Sequence, residues 1–427
     1  MNRIIVLLML LGLSISCTSK KNIKTNKQKI IEVAEVQYGK IGDVYKSKLI
    51  PRTHHKDGSL RSVPPFDWTS GFYGGNMWYM YELTKDDKWK ERAIDYTEIL
   101  DTIQWYSGNH DVGFMINCSY GNGYRVGGKE DYKQVLINAA ESLSKRFNNN
   151  IGLIKSWNYR KAWNDTTEWF FPVIIDNMMN LELLFEASKL SGNKKYYNIA
   201  ISHANKTMEN HYREDYSSYH VVDYDAITGK VLDKATCQGY ADESSWSRGQ
   251  AWGLYGYVTC YRATKDKKYL DFANNIANYI TTHPSIPKDK IPYWDYHVNN
   301  KDYKVEWDYQ NGVDYLYRDV SAATITASAL IELASYLSEE EANNYIDYAK
   351  DIINNVSTSK YMASKKEDNY FLLKHSVGSV PHSGDVDMPV NYADYYFLEA
   401  LSRMLNYEEG RHVLPEKTSI AAVLQQL

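Results

Sequence analysis

The sequence is poor in cysteine, with four in 427 residues. Three of these, Cys118, Cys237 and Cys260, are widely spaced and form no CxxC pair. This odd, scattered set predicts neither a disulfide framework nor a zinc site. The 11 histidines are also dispersed and lack the spacing of metal ligands. We therefore expect no metal centre.

A basic block is absent as well. Lysine and arginine total 49 against 53 aspartate and glutamate residues, which gives a formal net charge of −4. Without a run of basic residues, nucleic acid is not expected as a partner. The sequence also contains no nucleotide or flavin signature, so we expect no cofactor.

Long apolar runs are limited to the N-terminus, where Arg3 precedes the segment IIVLLMLLGL. This run is shorter than the roughly 20 residues of a membrane-spanning helix, and it is typical of a secretory signal. Ser16 before Cys17 resembles a lipoprotein processing site, which would make Cys17 the lipid-carrying N-terminus. A simple secreted protein is the alternative.

These features predict three regions: a lipoprotein signal peptide over residues 1–17, a flexible lysine-rich tether over residues 18–29, and one domain over residues 30–427. We expect contact with a membrane only through the lipid. The lysines that follow Cys17 do not resemble an acidic surface-export tag. The predicted location is therefore the outer membrane, on its periplasmic side.

Aromatic residues, by contrast, are abundant, with 38 tyrosines and 11 tryptophans. Aromatic faces are the surfaces on which sugar rings stack, although a large helical core also uses many such residues. The composition therefore suits a carbohydrate-binding protein without requiring one.

The dominant periodicity is helical, and the helices come in pairs. A polar turn followed by lysine and an aromatic residue begins at Thr84, Ser191 and Thr264, and a looser version begins at Leu337. The last three are spaced 73 residues apart, which suits a repeated helical hairpin with a long loop. The first helix of each pair is apolar and the second carries polar residues. About six pairs fit the chain, which predicts an all-α (α/α)6 barrel; a helical solenoid is the competing architecture.

Residues 169–190 read as one buried helix with an acidic residue inside it. Pro172 suits a first helical position, and the apolar residues that follow wrap around most of the helix. Asp176 lies among them. Burial of a carboxylate without a partner is costly and raises the pKa, and a raised pKa is what a general acid needs near neutral pH. A structural hydrogen bond to a neighbouring helix is the alternative.

The loops that lead into the inner helices of such a barrel open at one end, and binding residues concentrate on loops held by a rigid scaffold. The candidate site residues in these connections and the adjoining turns are Trp68, Phe72, His110, Asp111, Asp176, His220, Thr236, Gln238, Arg248 and Trp252. Two carboxylates, an arginine, histidines and aromatic residues at one mouth indicate a pocket for an acidic sugar.

Each candidate also has a structural interpretation. Asp111 could cap a helix, since aspartate is a preferred capping residue. His220, taken alone, is more often a hydrogen-bonded structural histidine. Arg248 and Trp252 lie four residues apart and hence on one helical face, where arginine commonly stacks on tryptophan. Only the convergence of these residues favours a site.

At these residues the chain resembles glycoside hydrolase family 88, the unsaturated glucuronyl hydrolases. The segments that carry the resemblance are WTSGF at Trp68, HDVGF at His110, IIDNMMNL at Ile174, TCQGY at Thr236, SWSRGQAWGLYGY at Ser245 and DMPVNYADYYFLEAL at Asp387. Their order and spacing cover nearly the whole mature chain. The fold of that family is also an (α/α)6 barrel.

The resemblance implies an unusual glycosidase reaction. Polysaccharide lyases leave a 4,5-unsaturated uronic acid at the non-reducing end, and family members remove it by hydrating the vinyl ether bond. The aspartate matching Asp176 protonates C4 and then serves as base for the water that adds at C5. The aspartate matching Asp111 binds ring hydroxyls and balances charge, a role that suits an ionised carboxylate.

The resemblance also assigns binding residues. It implies that Trp68, Phe72 and Trp252 form a sugar platform, and that Thr236 lies beside the next sugar. Residues that would hold hydroxyls and the substrate carboxylate are His110, His220, Gln238 and Arg248. We expect Arg248 to bind the carboxylate, because a guanidinium matches it with two parallel hydrogen bonds.

The expected substrates are lyase-generated oligosaccharides from ulvan or another sulfated uronate polysaccharide, ahead of those from glycosaminoglycans. Two rival functions remain open at this point. One is an unsaturated rhamnogalacturonyl hydrolase, which shares the hydration chemistry. The other is a non-catalytic, lipid-anchored glycan-binding protein, which would leave the buried carboxylate without a purpose.

Overall fold

The computed structural model describes residues 23–414, without the side chains of residues 24 and 25. The predicted signal peptide and Cys17 lie outside this part of the chain. The helices are α1 (Ile23–Gly39), α2 (Ser70–Thr84), α3 (Asp87–Glu98), α4 (Val112–Ile116), α5 (Asn122–Arg125), α6 (Tyr132–Ser144), α7 (Asn177–Ser191), α8 (Lys194–Asn210), α9 (Ser247–Thr264), α10 (Lys267–Thr282), α11 (Val320–Ala334), α12 (Glu339–Val356) and α13 (Asn391–Glu408). Because α1 begins at Ile23, the predicted tether is wrong for residues 23–29, which are helical.

The helices form two concentric rings. In the inner ring α2, α4, α7, α9, α11 and α13 each contact the next, and α13 closes the ring against α2. The outer helices α3, α6, α8, α10 and α12 each pack on the inner helix that precedes them, and α1 packs on α13. This arrangement confirms the predicted (α/α)6 barrel. The second inner helix is interrupted, because a π-turn over residues 117–121 separates α4 from α5.

The repeated polar turns in the sequence are the tight corners between inner and outer helices. Lys85, Gly192 and Lys265 end three inner helices in the left-handed conformation, with φ of 60°, 72° and 57°. The following residue, Asp86, Asn193 or Asp266, caps the next outer helix. Its side chain accepts the backbone N–H of the residue two positions further along the chain. These caps satisfy helix ends that would otherwise lack hydrogen-bond partners.

Short strands surround one end of the barrel. The antiparallel pairs are β1 (Ile50–His54) with β2 (Leu60–Val63), β3 (Phe147–Asn148) with β4 (Leu153–Ile154), β5 (Arg160–Lys161) with β6 (Glu168–Trp169), and β10 (Ser376–Ser379) with β11 (Gly384–Met388). A three-stranded sheet joins β7 (Pro172–Ile174), β8 (Val221–Tyr224) and β9 (Val231–Ala235).

The single helix predicted over residues 169–190 is wrong in its first part. Residues 172–174 form β7, which pairs with β8 from Pro172 opposite Asp223 to Ile174 opposite Val221. Their side chains are buried on both faces of the sheet. A continuous apolar run does not distinguish a buried strand from a buried helix, and the tertiary partner decided between them.

Within residues 23–414, no helix combines the length and apolar character needed to cross a membrane. The helices instead pack around one continuous hydrophobic core. Several buried charged groups in this core are paired. Glu332, for example, accepts from Arg262 at 2.8 Å and contacts Arg403 at 3.1 Å.

Candidate active site

The two candidate carboxylates stand at the same end of the barrel, at the N-termini of neighbouring inner helices. Asp111 precedes α4 and Asp176 precedes α7, yet neither side chain caps its helix. Helices α4 and α7 approach closely at Gly113, where an added Cβ atom would lie only 2.4 Å from the Asn180 Oδ1 atom. The same Asn180 oxygen accepts the Phe114 backbone N–H at 2.9 Å. A glycine at position 113 therefore allows the two helix ends to bring the carboxylates together.

The sequence predicted that Asp176 lies inside a helix. In the structure it precedes the first residue of α7. The residue is 8% exposed, and its Oδ2 atom has no hydrogen-bond partner among the described residues. Burial raises the pKa of Asp176 to about 7, against the smaller opposing effects of Arg248, of its own backbone N–H and of the Trp252 indole. The pKa of Asp176 is thus raised because the residue is buried at the N-terminal end of a helix, at the mouth of the barrel.

His220 faces this carboxyl with a defined tautomer. Its Nδ1 atom accepts the backbone N–H groups of Cys237 at 2.9 Å and Gln238 at 3.1 Å. Burial and nearby positive groups hold the pKa of His220 well below its usual value, so the ring is neutral and its proton resides on Nε2. That Nε2 atom lies 3.7 Å from Asp176 Oδ2 and has no other partner within residues 23–414. A donor therefore faces Asp176 across a gap slightly too long for a hydrogen bond.

Asp111 has its own histidine neighbour. His110 Nε2 lies 3.4 Å from Asp111 Oδ1, and burial lowers the pKa of His110 to about 3, so this ring is also neutral. Burial, with smaller contributions from the charges of Asp176 and Asp67 and against the opposing effect of Arg146, raises the pKa of Asp111 to about 8. Burial and a second carboxylate nearby both disfavour its charged form.

The predicted aromatic platform is mostly an internal wall. Phe72 and Trp252 are completely buried, whereas Trp68 is partly exposed. All three pack against the Phe114 ring, at centroid distances of 5.5, 5.1 and 5.7 Å. Trp68 also packs on Tyr392 at 5.0 Å. Of these three, only Trp68 thus offers an accessible face to a sugar, and the buried Phe72 and Trp252 support it through Phe114.

Arg248 lies in the same cluster but is already engaged by the protein. Its Nη1 atom contacts Asp319 Oδ2 at 3.1 Å and the Val377 carbonyl, and its Nη2 atom donates to the Gly378 carbonyl at 2.6 Å. Within the described chain only its Nε has no partner. Both terminal nitrogens of Arg248 are thus used within the protein, and the role predicted for Arg248 in binding the substrate carboxylate stays a prediction. Asp319 balances the charge of Arg248, while its backbone contacts fix strand β10 beside the mouth.

Thr236 and Gln238 occupy the turn next to His220. The Thr236 hydroxyl accepts the Gly239 backbone N–H at 2.8 Å, which closes the turn. Gln238 contributes its backbone N–H to His220 and is partly exposed. The structure thus places both residues at the mouth, where the Gln238 backbone N–H, together with that of Cys237, fixes the orientation of the His220 ring.

A comparison with protein families agrees with this geometry. The model of Glycosyl Hydrolase Family 88 matches residues 41–258, which include both carboxylates, both histidines and Arg248. A curated relative, the "Unsaturated glucuronyl hydrolase" of Formosa agariphila, is 38% identical over 423 residues, covering 95% of this chain and 99% of the relative. The chain belongs to glycosyl hydrolase family 88. It is a glycosidase, an unsaturated glucuronyl hydrolase.

Solved structures extend the similarity to the whole barrel. An unsaturated glucuronyl hydrolase described as specific for heparin is 44% identical with a TM-score of 0.82, over 90% of this chain and 98% of the other. A mutant unsaturated glucuronyl hydrolase from Streptococcus agalactiae, complexed with dGlcA-GalNAc6S, is 27% identical with a TM-score of 0.69, over 91% and 93% of the two chains.

The hydrolase site also contains residues that the sequence did not reveal. Arg160, on β5, stacks on Trp157 at 4.9 Å, and the Trp157 ring packs edge-on to His220 at 6.2 Å. Arg160 also contacts the His382 ring on the turn between β10 and β11. Among residues 23–414, no carboxylate lies within ion-pair distance of the Arg160 guanidinium. No sequence motif marks these residues, because they meet only when the two hairpins fold over the mouth.

Proposed function

We propose that this family 88 enzyme removes the 4,5-unsaturated uronic acid from the non-reducing end of lyase-generated, sulfated uronate oligosaccharides, with Asp176 as proton donor. The observation that carries the proposal is the nearly buried Asp176 carboxyl, whose pKa is raised to about 7 and whose Oδ2 atom has no hydrogen-bond partner among the described residues. Near neutral pH a large fraction of such a carboxyl holds the proton that C4 must receive.

The proposed reaction follows from the positions of these groups. The Asp176 carboxyl gives its proton to C4 of the double bond, and positive charge develops at C5 and the ring oxygen. The resulting Asp176 carboxylate takes a proton from water, whose oxygen bonds to C5. The hemiketal then opens to a keto acid and releases the shortened oligosaccharide. The Nε2–H of His220 is placed to donate to Asp176 or to a ring hydroxyl, since its Nδ1 side is already fixed.

Asp111 is proposed as the partner of Asp176. Both pKa values are raised, and the charge on Asp176 adds to the rise at Asp111. The two carboxyls consequently ionise together only with difficulty, so the pair retains a proton up to about neutral pH. Asp111 would bind ring hydroxyls and, when ionised, offset the positive charge that forms on the sugar.

Arg160 supports a sulfated substrate. It is a half-buried cation without a carboxylate partner in the described chain. Arg160 contacts Trp157, Trp157 contacts His220, and His220 faces Asp176. His382 does not compete for an anion, because burial and Arg160 lower its pKa to about 4 and it is therefore neutral. An anion on the sugar next to the cleaved bond would supply the missing partner. The names of the relatives point in the same direction, since one structure contains dGlcA-GalNAc6S and another is described as specific for heparin.

We test the function with unsaturated oligosaccharides released by lyases from ulvan, heparin and chondroitin 6-sulfate. Hydration destroys the conjugated double bond, so the ultraviolet absorbance should fall with time. The polymer whose oligosaccharides lose absorbance fastest identifies the natural class of substrate. Heparin is the second candidate after ulvan, because one similar solved structure is described as specific for heparin. Unchanged absorbance for every oligosaccharide, with the protein folded, would refute the proposal.

The Arg160→Gln variant should lose affinity for sulfated substrates selectively. A charge-assisted hydrogen bond is worth about 1.5–3 kcal/mol, so we expect KM for a sulfated disaccharide to rise about tenfold while kcat stays near that of the wild type. The desulfated disaccharide should show little change. The matched controls are Arg160→Lys, which keeps the charge, and Lys133→Gln on the outer helix α6. An equal KM change for both disaccharides would contradict a role in anion binding.

Lipid anchoring remains a proposal from the sequence, because Cys17 lies outside the described residues. We infer that the exported protein is attached through Cys17 to the outer membrane on its periplasmic side. In the native host, wild-type protein should fractionate with membranes and the Cys17→Ser variant should be recovered in the soluble periplasmic fraction. Equal distribution of both forms would favour a simple secreted protein.

A further inference from the structure

The longest irregular connection in the described chain joins α10 to α11. Residues 283–319 contain no helix and no strand beyond isolated bridges. Irregular loops longer than about 15 residues are uncommon in compact domains and are usually functional. The connection from α3 to α4, which also leads from an outer to an inner helix, occupies only residues 99–111. The length of this connection therefore calls for an explanation that the catalytic residues do not provide.

The loop is held together by an aromatic cluster rather than by regular backbone pairing. Trp307 packs edge-on to Tyr309 and Tyr315, each at 5.5 Å, and those two tyrosines lie 4.9 Å apart at 30° to each other. The Trp307 indole N–H donates to the Tyr240 carbonyl at 2.9 Å, and the Gln310 backbone N–H donates to the Tyr315 hydroxyl at 3.1 Å. Trp307 and Tyr315 are themselves buried, so the cluster is a rigid support for the irregular segment, whereas the neighbouring Tyr317 ring is partly exposed.

A groove of about 570 Å³ lies between this loop and the β1–β2 hairpin. We call it the rim groove. Trp307, Tyr315 and Tyr317 line one side of it, and Asp308 and Gln310 stand exposed on the same side. Aromatic rings combined with carboxylate and amide groups form the usual lining of a sugar site, because the rings cover the apolar face of the sugar and the polar groups bind its hydroxyls.

The rim groove is separated from the catalytic mouth by a single turn of chain. Val380, Pro381 and Ser383, in the turn between β10 and β11, line the groove. His382, between them in sequence, faces the mouth, where its ring packs on Trp163 at 4.7 Å and its Nε2 lies 3.9 Å from Cys237 Sγ. An oligosaccharide whose terminal sugar sits at Asp176 could therefore cross this turn and enter the groove.

The charges of the groove indicate which part of the substrate it binds. Asp385 accepts from Arg61 at 2.7 Å and from Arg52 at 2.7 Å, and Arg52 also pairs with Asp67 at 2.7 Å, so two arginines and two aspartates neutralise one another. Lys56 on the hairpin and Asp308 on the loop are exposed, have opposite charges and form no ion pair within the described residues. The groove thus lacks a concentrated positive charge, in contrast to the surroundings of Arg160. Its chemistry suits hydroxyl groups of a sugar ring.

We propose that the rim groove is a distal subsite that binds a downstream sugar, at least one residue beyond the sugar next to the cleaved bond, through ring stacking and hydrogen bonds from Asp308 and Gln310. This inference rests on the proposed function, because it assumes that the catalytic mouth holds the unsaturated end. It makes the enzyme sensitive to chain length: a tetrasaccharide reaches the groove, whereas a disaccharide does not.

The test uses the double variant Asp308→Ala/Gln310→Ala. Both side chains are exposed, and neither forms a hydrogen bond within the described chain, so the fold should be unaffected. The matched control is Asn343→Ala/Asp347→Ala, which removes an amide and a carboxylate from the exposed face of the outer helix α12. Unsaturated di- and tetrasaccharides of ulvan, heparin and chondroitin 6-sulfate serve as substrates.

The loss of two hydrogen bonds, each worth about 0.5–1.5 kcal/mol, corresponds to roughly tenfold in affinity. We expect KM for the tetrasaccharide to rise about tenfold in the double variant, with kcat unchanged and with wild-type kinetics for the disaccharide. The α12 control should match the wild type for both substrates. Unchanged tetrasaccharide kinetics, or an equal loss for both lengths, would overturn the subsite.

Failure of the proposed function gives a different result. If the wild type turns over none of these oligosaccharides, the hydrolase proposal is wrong, and titration calorimetry with the same tetrasaccharides then tests the groove directly. Saturable binding that weakens about tenfold in the double variant but not in the control would retain a sugar site in the groove. Absence of binding, or equal binding by both variants, would reject it.

Discussion

The Asp176→Asn variant is expected to lose turnover by about a thousandfold or more. An amide of nearly the same shape cannot supply a proton to C4 or accept one from water, and general acid–base catalysis by one group typically contributes 10²–10⁴-fold. Binding should be retained, because the surrounding contacts of Trp252, His220 and Arg248 do not depend on the proton. The measurement is the loss of ultraviolet absorbance under saturating substrate, together with calorimetric binding of the same oligosaccharide.

Two further variants make this result specific. Asp347→Asn, on the exposed face of α12, should keep wild-type turnover and thereby exclude a general effect of removing a carboxylate. Asp111→Asn should also lose turnover, because Asp111 shares the pocket and the charge of the pair. If Asp176→Asn retained full activity on an unsaturated disaccharide, the proton donor would have to be another group, and Asp111 would be the first to examine.

The second large effect concerns stability as a function of pH. Burial raises the pKa of Asp176 from about 3.8 to about 7 and that of Asp111 from about 3.8 to about 8. The folded state therefore binds more protons than the unfolded state between about pH 4 and pH 8, so the free energy of unfolding falls as pH rises through this window. Below about pH 4 both states are protonated and this contribution is fully retained. One pKa unit is equivalent to about 1.4 kcal/mol.

Replacing both carboxyls should remove this slope. We expect the Asp111→Asn/Asp176→Asn variant to gain several kcal/mol over the wild type between pH 4.5 and pH 8, measured as the change in the difference of urea unfolding free energies. The comparison with the wild type is essential, because burial also raises the pKa of Asp394 to about 7. Asp347→Asn should follow the wild-type pH profile. A constant difference between the double variant and the wild type would show that the two carboxyls titrate normally in the folded protein.

These two predictions describe one compromise. The site holds two carboxyl groups where burial disfavours their charged forms, which lowers the stability of the folded protein at higher pH. The same burial keeps a proton donor available near neutral pH. A variant that becomes inactive and more stable at pH 8 would be the direct signature of this compromise. A variant that becomes inactive and less stable would instead indicate that Asp176 has a structural role.

The sequence alone determined the architecture and the membership of the site. Apolar helices alternated with amphipathic ones at a repeated spacing, and Lys265-Asp266 and its counterparts marked the corners that end one helix and cap the next. Local patterns of this kind are sufficient because hydrophobic periodicity and capping act over a few neighbouring residues. The motifs around Asp111 and Asp176 likewise pointed to the end of the barrel at which the structure places both carboxylates.

The tertiary structure decided how the individual groups are used. Residues 172–174 became a strand because β8 provided a partner, which moved Asp176 from the interior of a helix to its entrance. Arg248 bound Asp319 and backbone carbonyls, and Arg160 on a separate hairpin was left without a carboxylate partner within residues 23–414. Such outcomes depend on contacts between residues far apart in the chain. Local sequence can place a charged group near a site, but only the folded neighbours determine its partner, its burial and therefore its pKa.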